Sequence, residues 1–343
     1  MKNIFRYLSL LLLVSMLPIA LFSCSKEKKE AFVMPEREIE DSTTYEYGDY
    51  SYCIYNDNTA LISEYSGIDS SVTIPDEIEG NKVVAIAPGA FAYNTSITSL
   101  SIPNTVEVIG DMAFDGCTAL ASVKLSEKLW SIGPDAFNET PWDQTLTDEF
   151  VVVGDSLLYR YNGSAACVTI PENIKHIGPA FYNNESICDV EIGDGVYTVG
   201  SGAFLFSTVS NVSIGNSVVL IDSYAFQGCD RLVSVNIPDS VKQISHFAFY
   251  GCVSLNSVKL GQSVETLGIS AFHACAQLRL ITLPKALKEI TLNSFKDVNN
   301  LAYVYYEGTP DDFETIEIDQ TNYLLLDAKK FYENGYNGEK DEK

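Results

Sequence analysis

A step of 23 residues governs this chain. The stretch Ile221…Ala225-Phe226-Gln227-Gly228-Cys229…Leu232…Val235…Ile237 returns as Ile244…Ala248-Phe249-Tyr250-Gly251-Cys252…Leu255…Val258…Leu260. It returns again as Leu267…Ala271-Phe272-His273-Ala274-Cys275…Leu278…Ile281…Leu283. A fixed period of this size means a solenoid, in which each unit touches only its neighbours. One unit cannot bury its own Phe, so the rings are buried only when units stack. The anchors are Phe91, Phe114, Phe137, Phe181, Phe204, Phe226, Phe249, Phe272 and Phe295, with spacings of 23, 23, 44, 23, 22, 23, 23 and 23.

Each unit carries two short apolar runs, one leading into the Phe and one following it. Apolar residues fall at offsets of two or three, and Gly, Asn, Ser and Asp lie between. This predicts short strands ended by turns, because the runs are too brief for a helix. The spacing of 44 is nearly two steps; the coil there, residues 138–171, has lost its Phe and reads as a hairpin around Gly154-Asp155. The chain's opening reads the same way: Tyr50-Tyr52-Ile54 and Leu61-Ser63-Tyr65 alternate around Asn56-Asp57-Asn58, giving a hairpin cap over 45–75. Leu61-Ile62-Ser63-Glu64-Tyr65-Ser66-Gly67…Val72-Thr73-Ile74-Pro75 matches Leu157-Leu158-Tyr159-Arg160-Tyr161-Asn162-Gly163…Val168-Thr169-Ile170-Pro171. One architecture therefore continues through the middle. No Phe follows Phe295 at the expected step. Residues 311–333 read as a closing cap, with 323–332 open between a short helix and a turn plus strand. Residues 334–343 read as a polar tail.

The first 23 residues differ: Lys2 and Arg6 precede an apolar run from Tyr7 to Phe22, broken by Pro18 and shorter than the ~20 residues that span a bilayer. They read as a secretory signal. Its end, Leu21-Phe22-Ser23-Cys24, resembles the lipobox of bacterial lipoproteins, with Cys24 as the lipid attachment site and Phe22 departing from the usual small or aliphatic residue. Residues 24–44 are charged and poor in large apolar side chains, which suits a flexible tether.

Removing residues 1–23 takes two bases and no acid, leaving 20 basic and 46 acidic side chains, a formal charge of −26. Phosphate backbones are repelled by such a chain, so nucleic acid is not expected as a partner. With Cys24 spent on lipid, seven of the eight cysteines remain, an odd number spaced by the repeat rather than by a disulfide or zinc pattern.

The run Val-x-Ile-Pro-x-x-Val-x-x-Ile-x-x-x-Ala-Phe-x-x-Cys-x-x-Leu, seen from Val235 to Leu255, resembles the BspA-type leucine-rich repeat of bacterial surface proteins. Ser245 stands where that pattern usually has Gly. Tyr305-Tyr306-Glu307-Gly308-Thr309 resembles the usual ending of such arrays, and the resemblance covers about Tyr50 to Pro310. It implies a β-rich leucine-rich-repeat solenoid over 45–310, here of about ten stacked ~23-residue coils with terminal caps, displayed outside the cell. It also implies a class tendency toward adhesion and binding of host or neighbouring-cell proteins, and it assigns no binding residue.

The position three after each Phe holds Asn94, Cys117, Thr140, Asn184, Ser207, Cys229, Cys252, Cys275 and Val298. Cys117, Cys229, Cys252 and Cys275 are expected to form an internal structural ladder that donates to turn carbonyls. Strands ~4.7–4.9 Å apart place parallel side chains poorly for a disulfide, and thiols in a row cannot surround a tetrahedral metal. His176, His246 and His273 fall at different offsets, and no nucleophilic triad or phosphate loop is present. No catalytic residue, cofactor or metal is expected; Asp311-Asp312-Phe313-Glu314 reads as surface charge. The outward positions of the strand after each Phe form the natural ligand face. Most are small and polar, as a concave surface also demands, and the candidates on it are Tyr303, Tyr305, Lys124 and Lys259. The reading is a lipid-anchored, non-catalytic scaffold in the cell envelope or at the surface, binding an extracellular protein or glycan. The alternatives are a structural envelope protein without a ligand and a hydrolase with an unrecognised carboxylate site.

Overall fold

The computed structural model describes residues 32–35, 37–39 and 43–333. Two compact units are distinguished, residues 1–36 and residues 37–343. The described part of the first, 32–35, has no regular structure. The leader, Cys24, most of 24–44 and the tail 334–343 lie outside the described residues.

The second unit is a β-solenoid of about twelve turns, two more than the Phe anchors predict. Neither extra turn places a Phe in the ring stack. One is the opening turn, Thr59–Tyr65 followed by Ser71–Thr73. The other is the closing turn, Glu317–Ile318 followed by Lys329–Tyr332. Each regular coil contributes a two-residue strand before the Phe corner and a longer strand after it, and both kinds pair in parallel with the next coil. Proline after the second strand, as at Pro238 and Pro284, removes an N–H and ends the ladder there.

The corner between the two strands is set by two left-handed residues, two before and two after each Phe except Phe181, where Pro179 stands at the first position and only Asn183 is left-handed. In the coil of Phe249 these are Phe247 at φ 57° and Gly251 at φ 69°; in the coil of Phe272 they are Ser270 at 55° and Ala274 at 59°. Backbone turned this way lets the Phe N–H donate to the carbonyl of the alanine before the next Phe, as Phe226 does to Ala248 at 2.7 Å and Phe249 to Ala271 at 2.8 Å. The rings then stack at the coil spacing. Phe204–Phe226, Phe226–Phe249 and Phe249–Phe272 centroids lie 5.0, 5.1 and 5.1 Å apart, with interplanar angles of 2°, 6° and 2°.

The ladder is interrupted once. The first apolar core runs from Tyr52 to Tyr159 and the second from Leu158 to Leu325. Phe137 closes the first stack against the edge of Trp142, 4.7 Å away at 62°. The hairpin Phe150–Val153 and Leu157–Tyr161 then starts a new parallel sheet. Leu157 and Tyr159 face the first core while Leu158 and Tyr161 face the second, so one strand walls both. The opening of the array has the same parts. Tyr50 meets Tyr65 at 5.0 Å and Tyr65 meets Phe91 at 4.9 Å; Phe150 meets Tyr161 at 5.0 Å and Tyr161 meets Phe181 at 5.3 Å. A tyrosine is thus the first rung of each stack. The glycine two residues on, Gly67 or Gly163, leaves room for its hydroxyl, since a Cβ there would lie 2.3 Å from the oxygen.

At the far end, residues 323–332 contain both open alternatives: a short helix Tyr323–Asp327 and a strand Lys329–Tyr332. Asn322, fully buried, replaces a missing coil. Its Oδ1 accepts from the Phe295 N–H at 2.8 Å, the bond made one coil earlier by Phe272 N–H to the Ser294 carbonyl. Its Nδ2 donates to the Thr291 carbonyl at 2.9 Å. The acidic run 311–314 serves the helix Pro310–Phe313: Asp312 closes a capping box with Thr309 and pairs with Lys285 at 3.0 Å. Hydrogen bonds from Thr309 and then Lys285 hold its carboxyl down to about 2.

Candidate ligand-binding face

The strands after each Phe leave every second side chain pointing away from the core, and parallel pairing aligns these side chains in two columns. Near the C-terminal end one column reads Ser234, Ser257, Leu280, Tyr303 and Lys329, and the other Asn236, Lys259, Thr282, Tyr305 and Phe331. Two of the sequence candidates, Lys259 and Tyr305, therefore share one column, two coils apart, with Thr282 between them. Tyr303 stands in the neighbouring column beneath the Arg279 guanidinium, 5.8 Å from its ring centroid. Lys124 is elsewhere, on the last strand of the separate three-stranded sheet that begins at Ser71–Thr73.

The closing coil adds what the sequence did not single out. Phe331 stacks on Tyr305 with centroids 4.8 Å apart at 13°, and Lys329 Nζ lies 5.4 Å from the Phe331 centroid. Tyr305 remains 44 % exposed, the reason it can meet a ligand as well as cap the array. A groove of about 720 Å³ opens here, lined by Lys259, Gln262, Thr282, Tyr305, Glu307 and Phe331 among others. Gln262 Nε2 donates to the Glu307 carboxylate across the intervening coil. Among the described residues, no carboxylate lies within ion-pair distance of Lys259.

The rest of the face has a different character. Its middle carries Cys167, Thr169, Asp189, Glu191, Asn211 and Ser213 around a smaller groove of about 350 Å³. These groups bind one another, Asn211 Nδ2 donating to Asp189 at 2.7 Å and the Thr169 hydroxyl to Glu191 at 3.3 Å. Its start is a row of hydroxyls, with Ser99 donating to Ser71 at 3.0 Å. A second aromatic row, also missed from the sequence, runs along the corners: Tyr224 stacks on Phe247 at 5.3 Å, and Tyr250 meets His273 edge-on at 4.9 Å. The sign of it was an aromatic residue two before Phe in two successive coils.

Away from the face, the thiols of Cys117, Cys229, Cys252 and Cys275 are fully buried. They donate to the carbonyls of Phe91, Phe204, Phe226 and Phe249 at 3.1, 3.1, 3.0 and 3.1 Å. Burial pushes Cys117 up to about 11 and Cys229 and Cys275 up to about 12. All seven described cysteines are free thiols, Cys167 exposed. Where the two cores meet, Asp143 pairs with Arg160 and accepts from the Tyr159 hydroxyl at 2.8 Å. His176 is buried with Nδ1 3.0 Å from the Thr198 hydroxyl, and burial lowers its pKa to about 4. His246 Nδ1 accepts from the Ile269 N–H at 2.8 Å and His273 lies 3.1 Å from Asp297, so each histidine has its own local partner. Among the described residues no group of three or more His, Cys, Asp or Glu could hold a metal ion, and no helix is long and apolar enough to cross a membrane.

Parallel strands at two corners of every coil, a stacked ring ladder and a laterally displayed strand face define a leucine-rich-repeat solenoid. The chain belongs to the BspA type leucine rich repeat family, whose repeat region matches in 6 copies over residues 84–209 and 198–319. Solved structures similar to it include a leucine rich repeat protein of T. pallidum, 27 % identical, covering 69 % of this chain and 91 % of its own, with TM-score 0.30. Another is a leucine rich cell surface protein of Faecalibacterium prausnitzii, 21 % identical, covering 82 % and 99 %, with TM-score 0.31. A third is a leucine-rich repeat protein of Bacteroides ovatus, 21 % identical, covering 88 % and 99 %, with TM-score 0.29. No curated protein matches the chain.

Proposed function

We propose that this chain is an exported, lipid-anchored binding scaffold. It engages an extracellular protein or glycan through the C-terminal end of its strand face and performs no chemistry of its own. The observation that carries the reading is the gathering on the last coils of Tyr303, Tyr305, Phe331 and a Lys259 with no acidic partner among the described residues, within a chain of net charge −24. Aromatic side chains supply contact area at small entropic cost, and such a cation gives direction. Elsewhere the same face is short, polar and internally hydrogen-bonded, so it has less to offer a partner. Anchoring rests on Leu21-Phe22-Ser23-Cys24, and only the charged stretch before Arg37 would serve as a tether, because Arg37 pairs with Asp57 at 2.9 Å and Glu107 at 2.8 Å and Ile39 bridges to Tyr55 on the array.

The test is a printed array of glycans and extracellular proteins probed with the purified chain and with Tyr305→Ala and Lys124→Ala variants. Saturable binding that Tyr305→Ala abolishes and Lys124→Ala spares supports the reading. Absence of any saturable partner, or equal binding by all three, refutes it. For the anchor, Cys24→Ser should abolish detergent-phase partitioning; unchanged partitioning and mass would end the lipoprotein assignment.

A further inference from the structure

The groove between Lys259 and Tyr305 has a shape that narrows the ligand class. Parallel register places Lys259, Thr282, Tyr305 and Phe331 on four successive coils. Strands in a sheet lie about 4.8 Å apart, so Lys259 and Tyr305 stand about 10 Å apart across the short Thr282. A ring held between two walls needs about 7 Å, twice the optimal van der Waals separation. One face of Tyr305 is taken by Phe331 at 4.8 Å. The other face looks over Thr282 toward Lys259. The slot therefore has an aromatic wall, a hydroxyl floor and an ammonium wall, and the Gln262–Glu307 pair closes one end.

Resting on the proposed binding role of this face, we propose that the slot holds a pyranose ring carrying a carboxylate, that is, a hexuronate residue of an acidic glycan. The C–H face of the ring lies on Tyr305. The carboxylate meets Lys259 Nζ, which has no acidic partner among the described residues. Ring hydroxyls reach the Thr282 hydroxyl and donate to Glu307, whose carboxylate accepts but cannot donate when ionised. A neutral ring would leave Lys259 without an acidic partner, and a planar acid lacking ring hydroxyls would add nothing to the donor that Glu307 already has in Gln262 Nε2. Two further cations of this end, Arg279 and Lys329, lie over Tyr303 and Phe331, while Glu307 and Glu333 line the groove beside Lys259.

The experiment is isothermal titration of the full chain with trimers of galacturonate, glucuronate, mannuronate and guluronate, and with their carboxyl-reduced forms. At least one uronate should bind saturably, and its reduced form should bind about tenfold or more weakly, the loss of one charge-assisted hydrogen bond. Lys259→Ala should lower affinity for the uronate by a similar factor and leave the reduced form unchanged. Tyr305→Ala should weaken both. Both substitutions are at outward positions, and a single cooperative thermal transition, lowered slightly for Tyr305→Ala by loss of the Phe331 stack, verifies folding. Failure of all four uronates to bind, or equal binding of uronate and reduced form, overturns the hexuronate assignment. If the array partner is nonetheless lost with Tyr305→Ala, the binding face stands and only its ligand class falls; an acidic peptide as the partner is one such outcome. If neither uronate nor array partner responds to Tyr305→Ala, both fall together.

Discussion

Phe249→Ala tests the ring ladder where it is most regular. The ring is fully buried between Phe226 and Phe272, each 5.1 Å away and nearly parallel to it. Truncating a buried Phe costs about 3–5 kcal/mol, from lost transfer energy and from the cavity left behind. The upper half of that range fits this site. The corner backbone is tied to both neighbours, Phe226 N–H to the Ala248 carbonyl at 2.7 Å and Phe249 N–H to the Ala271 carbonyl at 2.8 Å, so the walls cannot collapse inward. Two stacked pairs are also lost, each worth about 0.5–1.5 kcal/mol, part of which the truncation figure already contains. With a urea slope near the top of the small-domain range, about 3 kcal/mol per M, the midpoint should fall by about 1 M or more. Asn236→Ala on the outward column should stay within about 0.5 kcal/mol. Urea titrations followed by far-UV circular dichroism compare them directly. Equal midpoints for the two variants would refute the assignment of inward and outward positions.

Local geometry sets three further outcomes. Gly251→Ala meets no atom within 4 Å but must keep φ near 69°, so it should cost about 1–2 kcal/mol; Gly228→Ala should cost more, because its Cβ would lie 2.4 Å from the Phe206 ring, and thermal denaturation should rank them so. His176 titrates near 4 in the folded chain against 6.5 unfolded, so the unfolded chain binds more protons between those values; stability present above pH 6.5 should fall by about 3 kcal/mol as pH drops through 4, and His176→Gln should flatten that part of the pH–stability curve. Cys117, Cys229, Cys252 and Cys275 should resist thiol reagents in the folded chain at pH 8 and react only with denaturant, while Cys167 reacts at once; stoichiometric metal, or a disulfide within the buried row, would contradict their packing.

Much of the architecture was legible because identical neighbours recur at one step. The repeated Ala-Phe pair and the runs around it gave the ladder, the two strands per coil and the direction of their side chains. The duplicated Leu-x-x-x-Tyr-x-Gly opening gave the middle hairpin. It did not give the number of turns, because the opening turn puts Tyr65 rather than Phe in the ring stack and the closing turn puts no ring there, its Phe331 lying outside on Tyr305. There Asn322 supplies from its side chain the acceptor that a further coil would supply from its backbone. The paired left-handed corners left only a partial compositional trace: Gly89, Gly116, Gly202, Gly228 and Gly251 mark some of them, but Tyr93, Met112, Glu139, Phe206 and Ala274 also adopt positive φ, held there by the coil on either side rather than by local preference. Of the face, Tyr303, Tyr305, Lys124 and Lys259 could be picked out one by one. Their grouping could not, since register across coils decides that Lys259 faces Tyr305 over Thr282 while Lys124 stands in another sheet. Phe331 was invisible as a site residue because its strand follows a helix and breaks the period.

A partner seated on the C-terminal strand face should shield the side chains that line it. Hydroxyl-radical footprinting of the full chain, with and without a saturating partner selected on the array, measures this directly. Tyr305, 44 % exposed, should lose reactivity on binding together with Phe331, while Tyr93, 72 % exposed on a corner of the first core, and Phe206, 51 % exposed on a corner of the second, keep theirs. Protection of Tyr93, Phe206 or Phe247 with Tyr305 unchanged would place the partner on the corners and contradict the binding face proposed for this chain.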